Sequence, residues 1–216
     1  MTEQNYIFGY GSLIESESRM RTTPNAKNVY PVIVKGLKRG WFARTGGNSL
    51  STTFLGCIKD SKSIVNGVIY KVSEKELEAI DSREKGYSRE LIETDAIDFL
   101  FDIKDNNIKV WTYLNEFNNF EMLKKSFPNK EFPIVQSYVD MCINGCIEIE
   151  AKFDKAKKIG FTKMFIESTE YWNEFWANDR IYPRRAFIYR PNANTIDTYL
   201  KDYLKDKSLF NKIYIE

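Results

Sequence analysis

The chain contains no histidine. That absence removes the base of every Ser-His-Asp and Cys-His mechanism and the commonest metal ligand. Proton transfer in an enzyme of this sequence therefore falls to carboxylates, Tyr, Lys or Cys. Cysteine is scarce: Cys57, Cys142 and Cys146 are the whole set, and three thiols make no disulfide framework. Cys142 and Cys146 lie four apart in a helix-like segment and share a face. They read either as a metal pair or as core thiols, and no third and fourth zinc-type ligand accompanies them. No metal site is expected. Charge of one sign is not in excess either: 32 Lys and Arg face 30 Asp and Glu, a net of +2. A dedicated nucleic-acid binder should carry a marked basic surplus, so no nucleic-acid partner is expected. No apolar run is long enough to span a bilayer, and the opening MTEQNYIF lacks the basic-then-apolar order of a secretory signal. The expectation is a soluble cytoplasmic protein with no membrane partner.

What the chain does have is apolar bulk. Of 216 residues, 43% are hydrophobic and 15% aromatic, enough for one large domain or a domain with an extension. Residues 5–10 read as a first strand and 15–21 as a short helix. Residues 29–44 are rich in Val, Ile, Trp and Phe but interrupted by Gly36 and Gly40, which predicts two strand pieces. Residues 45–51 form a Gly/Asn/Ser loop. Residues 63–72 alternate as a strand. Ser73 and Glu76 fit a capping box that opens a helix, with Gly86 as its stop. Residues 91–101 and 108–114 read as strands. Val135, Tyr138, Val139, Cys142 and Cys146 make one helical stripe over 135–149. From residue 151 the character changes: a Lys-rich helical stretch leads to Tyr171, Trp172 and Trp176, then NDRIYPRR, a short strand at 186–189 and an amphipathic helix at 195–204. Strands dominate the first half and helices the second. This predicts an α+β fold, a mixed, strongly bent β-sheet or barrel flanked by helices. Residues 1–150 would form the main domain and 151–216 an aromatic helical extension docked on it.

Two segments carry chemistry. In IFGYGSLI, residues 7–14, a buried strand runs into a tight turn. The glycines allow a ligand to approach the main chain, and the N–H groups of Gly11, Ser12 and Leu13 would make a nest for a carboxylate or oxyanion. The plainer reading is a Gly turn after a buried strand. In DSREKGY, residues 81–87, Glu84 shares a helix face with Leu77 and Ile80. There it would be desolvated and raised toward a pKa useful for proton transfer. If the helix ends by Ser82, Glu84 is instead solvated or paired with a nearby cation.

Taken together, IFGYGSLI and D-x-R-E-x-G-Y some seventy residues later resemble the γ-glutamyl cyclotransferase superfamily, with FGYGSLI most like the ChaC branch that degrades glutathione. GLKRGWFAR (36–44) and NGVIYKVSEKELEAID (66–81) resemble the family's glycine-rich strand and its strand before the catalytic helix. QSYVDMC (136–142) puts Tyr138 where relatives have a substrate-lining Tyr. The resemblance covers about residues 5–150. The ending resembles a longer bacterial and plant type, in which a Trp-rich helix precedes an NDR-x-x-YPR segment.

What the resemblance implies is non-hydrolytic cleavage of a γ-glutamyl amide or peptide, glutathione among them. The α-amine of the small-molecule substrate attacks its own γ-carbonyl to give 5-oxoproline and a free amine, without any cofactor. Glu84 would be the acid–base, and Tyr10, Gly11, Ser12, Leu13, Tyr87 and Tyr138 would bind substrate. Two alternatives remain beside it: a non-catalytic binding protein on the same scaffold, and a cyclotransferase for a γ-glutamyl-amine intermediate. Arg44 reads either as facing the leaving group or as a solvated strand-end cation. Trp172 and Trp176, four apart, would share a helix face. Arg180 and Arg184 would either meet a carboxylate on the leaving group or face water.

Overall fold

Alternation of buried side chains builds the sheet. In the first strand, β1 (Gln4–Gly9), Tyr6 and Phe8 enter one apolar cluster while Ile7 enters the other, as a period of two requires. The computed structural model describes residues 4–26, 28–44, 51–84, 86–102, 107–184 and 192–215. After β1 come α1 (Ser16–Thr22), β2 (Val29–Ala43), β3 (Phe54–Val72), α2 (Glu74–Arg83), β4 (Ser88–Ile92), β5 (Ile97–Phe99), β6 (Ile108–Leu114) and α3 (Phe120–Lys125). The chain continues through β7 (Ile134–Val135), α4 (Gln136–Lys152), α5 (Asp154–Ile159), α6 (Phe161–Ser168), β8 (Thr169–Glu170), β9 (Trp176–Asn178), α7 (Ala193–Tyr203) and β10 (Tyr214–Ile215).

The main sheet runs β4-β6-β1-β3-β2-β5, with β8 added to β2; β1 pairs parallel to β6 and antiparallel to β3. Ile92, from the strand at one end of this order, and Ile97, from the strand at the other, meet in the same cluster as Phe8, Val34 and Val110. The sheet must therefore curl strongly, and the fold is the mixed, bent α+β type that the sequence predicts. The opposite face is covered by α4, α6 and α7, which share one cluster with Ile7, Trp41 and Tyr70. A second, small parallel sheet, β10-β9-β7, lies at the start of α4.

Several expectations are corrected. Gly36 and Gly40 do not break the second strand. β2 runs unbroken for 15 residues, and Gly36, at φ 82°, sits in a register shift opposite β3, the bulge geometry that glycine permits. β3 begins at Phe54 and not at residue 63, because residues 54–59 pair with β2 as well as residues 64–70, on the two sides of the irregular polar run DSKS. Residues 91–101 are not one strand: a 3-10 turn, Thr94–Ala96, parts β4 from β5. Trp172 and Trp176 are not on a helix, since α6 stops at Ser168, Tyr171 adopts φ 65°, and Trp176 belongs to β9. Most of the 45–51 loop and the 186–189 strand lie outside the described residues. The capping box is present: the Ser73 N–H donates to Glu76 at 2.9 Å and the Glu76 N–H to the Ser73 hydroxyl at 3.3 Å. Among the described residues no helix is long and apolar enough to cross a membrane.

Candidate active site

The turn after β1 is held from behind by buried groups. Gly11 is followed by a 3-10 turn, Ser12–Ile14, and Glu15 then caps α1 by accepting the Ser18 N–H at 2.6 Å. The buried Arg19 guanidinium reaches back and donates to the carbonyls of Leu13 (3.1 Å), Ile14 (2.9 Å) and Ala26 (3.1 Å). With those carbonyls turned inward, the N–H groups at the start of the turn have no acceptor within it. Helix α4 crosses directly over this turn. A Cβ on its Gly145 would lie 2.5 Å from the Glu15 nitrogen, so only glycine allows the approach.

That approach brings Tyr138 of α4 to Gly11: a Cβ on Gly11 would lie 3.2 Å from the Tyr138 hydroxyl. Tyr138 is itself fixed in place edge-on to Phe54 (5.0 Å) and Trp41 (5.9 Å). The neighbouring Tyr10 is pinned at both ends. Its hydroxyl donates to the Tyr113 carbonyl at 2.9 Å, and its own carbonyl accepts from Arg39 at 3.1 Å.

Glu84 is the residue at which α2 ends. Its N–H still donates to the Ile80 carbonyl at 2.9 Å, but its φ and ψ, −82° and 42°, leave the helix, and its carbonyl accepts the Tyr87 N–H at 3.2 Å. Leu77 and Ile80 below it are buried and Glu84 is half-buried. It thus stands between the two sequence readings: the helix runs past Ser82 to Arg83, and Glu84 is the half-buried residue that caps its end beside the apolar face. Its charge reaches three phenols. Burial first, and then Glu84, push the Tyr87 hydroxyl up. Tyr10 is raised well above its ordinary value by burial, with Cys57, Tyr87, Tyr138 and Glu84 adding to it. Tyr113 is raised by burial, by its 2.7 Å hydrogen bond to Asp81 and by Glu84. All three therefore remain protonated donors at neutral pH. Asp81 is occupied by Tyr113 and by Arg89 at 2.6 Å.

The structure thus gathers Glu84, Tyr10, Gly11, Tyr87 and Tyr138 into one site, with Ser12 and Leu13 half-buried on the turn at its edge. It also adds residues that the motifs do not contain. Asn115, just past β6, exchanges two hydrogen bonds with the Cys57 backbone, at 2.8 and 3.3 Å, and bonds the Tyr87 hydroxyl through its side chain. The only sequence signal for it is a polar residue directly after a strand. Beyond Asn115 a groove of about 560 Å³ opens between Phe117, Phe120, Asn118 and Lys59.

Three arginines are already bound elsewhere. Arg44 stacks on Phe132 at 4.1 Å and donates to the carbonyls of Lys125 and Phe127; it is neither solvated nor turned to the site. Arg180 makes two-pronged contacts with Asp140 and with Asp197, the shortest 2.7 Å each. Arg184 donates to the Ser51 carbonyl at 2.7 Å. In the same segment Asp179 caps α4, accepting the Ser137 N–H (2.7 Å) and hydroxyl (2.6 Å). Trp172 and Trp176 do stack, at 5.0 Å, with Trp172 edge-on to Trp41 at 4.9 Å. The thiols of Cys57 and Cys146 are pushed up by burial, Cys57 to about 12, and behave as core groups.

The family model described as gamma-glutamyl cyclotransferase, AIG2-like, matches residues 7–132. No curated protein matches the chain. A solved gamma-glutamyl cyclotransferase shares 16% identity and superimposes with a TM-score of 0.52 over 73% of this chain and 87% of that one, which shows the common fold. An uncharacterized protein of Homo sapiens, loc79017, shares 16% identity over 74% and 88% of the two chains (TM-score 0.49). A yeast gamma-glutamyl cyclotransferase specific to glutathione shares 14% over 73% and 88% (TM-score 0.41).

Proposed function

The chain belongs to the γ-glutamyl cyclotransferase, AIG2-like family, and from that premise we propose that it cleaves a γ-glutamyl amide to 5-oxoproline and a free amine, with Glu84 as acid–base. The observation that carries this reading is the placement of Glu84 at the end of α2, where its charge bears on Tyr10, Tyr87 and Tyr113 beside the Gly11 turn.

The substrate's α-carboxylate lies against the N–H groups of residues 11–13, which folds its α-amine toward the γ-carbonyl. Glu84 takes a proton from the amine as its nitrogen attacks the γ-carbon. The oxyanion then collapses, the bond to the leaving nitrogen breaks, and Glu84 returns the proton to that nitrogen. One C–N bond forms, one breaks, and no water is consumed. Nucleophile and electrophile belong to one molecule, so orientation supplies much of the acceleration; well-aligned intramolecular cases reach effective molarities of about 10⁵ M or more. The protonated phenol of Tyr87 offers a donor where charge develops, while the Tyr10 hydroxyl stays committed to the Tyr113 carbonyl. The leaving group departs past Asn115 toward the groove lined by Phe117 and Lys59.

The test is a panel of γ-glutamyl dipeptides, glutathione and γ-glutamyl alkylamines, assayed by mass detection of 5-oxoproline. Release of 5-oxoproline from at least one compound is expected, and the panel ranks the leaving groups. Binding without release from any of them would instead support a ligand-binding protein on this scaffold.

Gly11→Val is expected to weaken binding of 5-oxoproline more than it lowers stability. The new side chain meets the Tyr138 hydroxyl and crowds the turn, and overpacking of this kind costs about 1–3 kcal/mol. Calorimetric titration beside thermal unfolding separates the two effects. A fall in Tm with unchanged affinity would remove the turn from the binding site.

A further inference from the structure

Arg39 is fully buried, and among the described residues its guanidinium bonds to no carboxylate. Its five N–H groups serve six neutral oxygens, one hydrogen of Nη2 being shared: Thr169 Oγ1 (2.8 Å), Tyr10 O (3.1 Å), Asn66 O (2.8 Å) and Oδ1 (3.0 Å), Phe165 O (2.9 Å) and Ser168 Oγ (2.8 Å). One face stacks on the Phe165 ring at 3.9 Å. The buried carboxylates among the described residues are committed elsewhere: Glu15 to the cap of α1, Asp140 to Arg180, Asp179 to Ser137. Burial lowers the Arg39 pKa only to about 10, so the group is charged at neutral pH. An isolated buried charge is costly, and neutral acceptors would hold a neutral donor as well.

One of the six bonds leads to the site. The Tyr10 carbonyl that accepts from Arg39 belongs to the peptide whose N–H is that of Gly11. In a trans peptide these two groups point opposite ways, so the N–H is directed away from Arg39. No acceptor for it is found among the described residues. A charged donor on a carbonyl polarises the whole peptide and strengthens its N–H as a donor.

We propose that Arg39 is a positioning residue whose uncompensated charge, acting through the Tyr10–Gly11 peptide, tunes the 11–13 turn for a carboxylate. This rests on the function proposed above and adds to it the source of the turn's preference for anions. The alternative role, a neutral tie between β2 and the α6–β8 segment, predicts lost stability without lost selectivity.

The test compares 5-oxoproline with its neutral carboxamide by calorimetry. The wild-type protein is expected to prefer the acid. Arg39→Gln removes the charge, and Ser168→Asp, at a half-buried position, cancels it while keeping the arginine. Each is expected to weaken acid binding by about tenfold and to change carboxamide binding by less than about threefold, since charge-assisted bonds are roughly twice as strong as neutral ones. Ser168→Ala, which cuts a tie and leaves the charge, is expected to keep the preference. Should Arg39→Gln not fold, Ser168→Asp decides. A wild-type preference that survives Ser168→Asp overturns this inference alone. A wild-type protein with no preference for the acid overturns both it and the proposed binding mode.

Discussion

Glu84→Gln is expected to fold normally and to lose turnover by about 10²–10⁴-fold or more, the range that general acid–base catalysis contributes. Gln keeps the shape of the side chain and the backbone bonds that end α2, but it cannot take a proton from the amine and return it to the leaving nitrogen. Product affinity is expected to hold, because in the proposed binding mode the carboxylate lies on the 11–13 turn and not on Glu84. The measurement is 5-oxoproline release under single-turnover conditions, with circular dichroism as a check on the fold. Activity within tenfold of wild type would exclude Glu84 as the acid–base and turn attention to the phenols around it.

The largest effect on stability is expected at Arg180, whose guanidinium is committed to Asp140 and Asp197. Its side chain is 17% exposed and that of its partner Asp140 is 1% exposed. Arg180→Ala strands the Asp140 carboxylate in the interior with Gln136, at 2.8 Å, as its remaining side-chain donor among the described residues. Removing one member of a buried pair costs about 3–5 kcal/mol; with Arg180 partly exposed, about 3 kcal/mol is expected, or roughly 6–12 °C in Tm for a chain of this size. The ratio of kcat/KM between a γ-glutamyl dipeptide and a γ-glutamyl amine without a second carboxylate should not move. A selective loss of the dipeptide, with little change in Tm, would return Arg180 to the rim of the pocket.

The same residue marks where sequence reading stops. NDRIYPRR shows two arginines and invites a search for an anion, but charge pattern alone does not say whether the anion is a ligand or another part of the chain. The partners of Arg180 are 40 and 17 residues away; Asp140 is brought to it by the pairing of β9 with β7, which leads directly into α4, and Asp197 by the packing of α7 on α4. The tryptophans teach a related lesson. Their contact is real, but the four-residue spacing that suggested it belongs to a helix that has already ended. A chain turned at Tyr171 and a strand pairing at Trp176 bring the rings together instead. Arg39 looks in the sequence like one basic residue on an aromatic strand, and its burial depends on four other segments closing over it. Gly36 and Gly40 looked like breaks because glycine weakens a strand in isolation, whereas pairing with β3 on both sides of Gly36 keeps β2 intact.

By itself the sequence determined whatever depends on neighbours in the chain. The apolar strand and glycine turn of residues 7–14, the Ser73–Glu76 capping box, the buried stripe of α4 and the spacing that sets Glu84 after Leu77 and Ile80 are all fixed within a few residues, by steric limits on the backbone and by the helical and strand periods. The lack of histidine likewise leaves any proton transfer to carboxylates, Tyr, Lys or Cys before any fold is known. Only the tertiary structure decided which of these meet. Tyr138 reaches Gly11 because Gly145 lets α4 lie on the turn, the charge of Glu84 bears on Tyr10 and Tyr87 across the fold, and Asn115 and Arg39 make contacts that span up to 130 residues. Such contacts form only when distant segments are buried together. Their energies come from desolvation and exact hydrogen-bond pairing across the core, quantities that no local stretch of sequence contains.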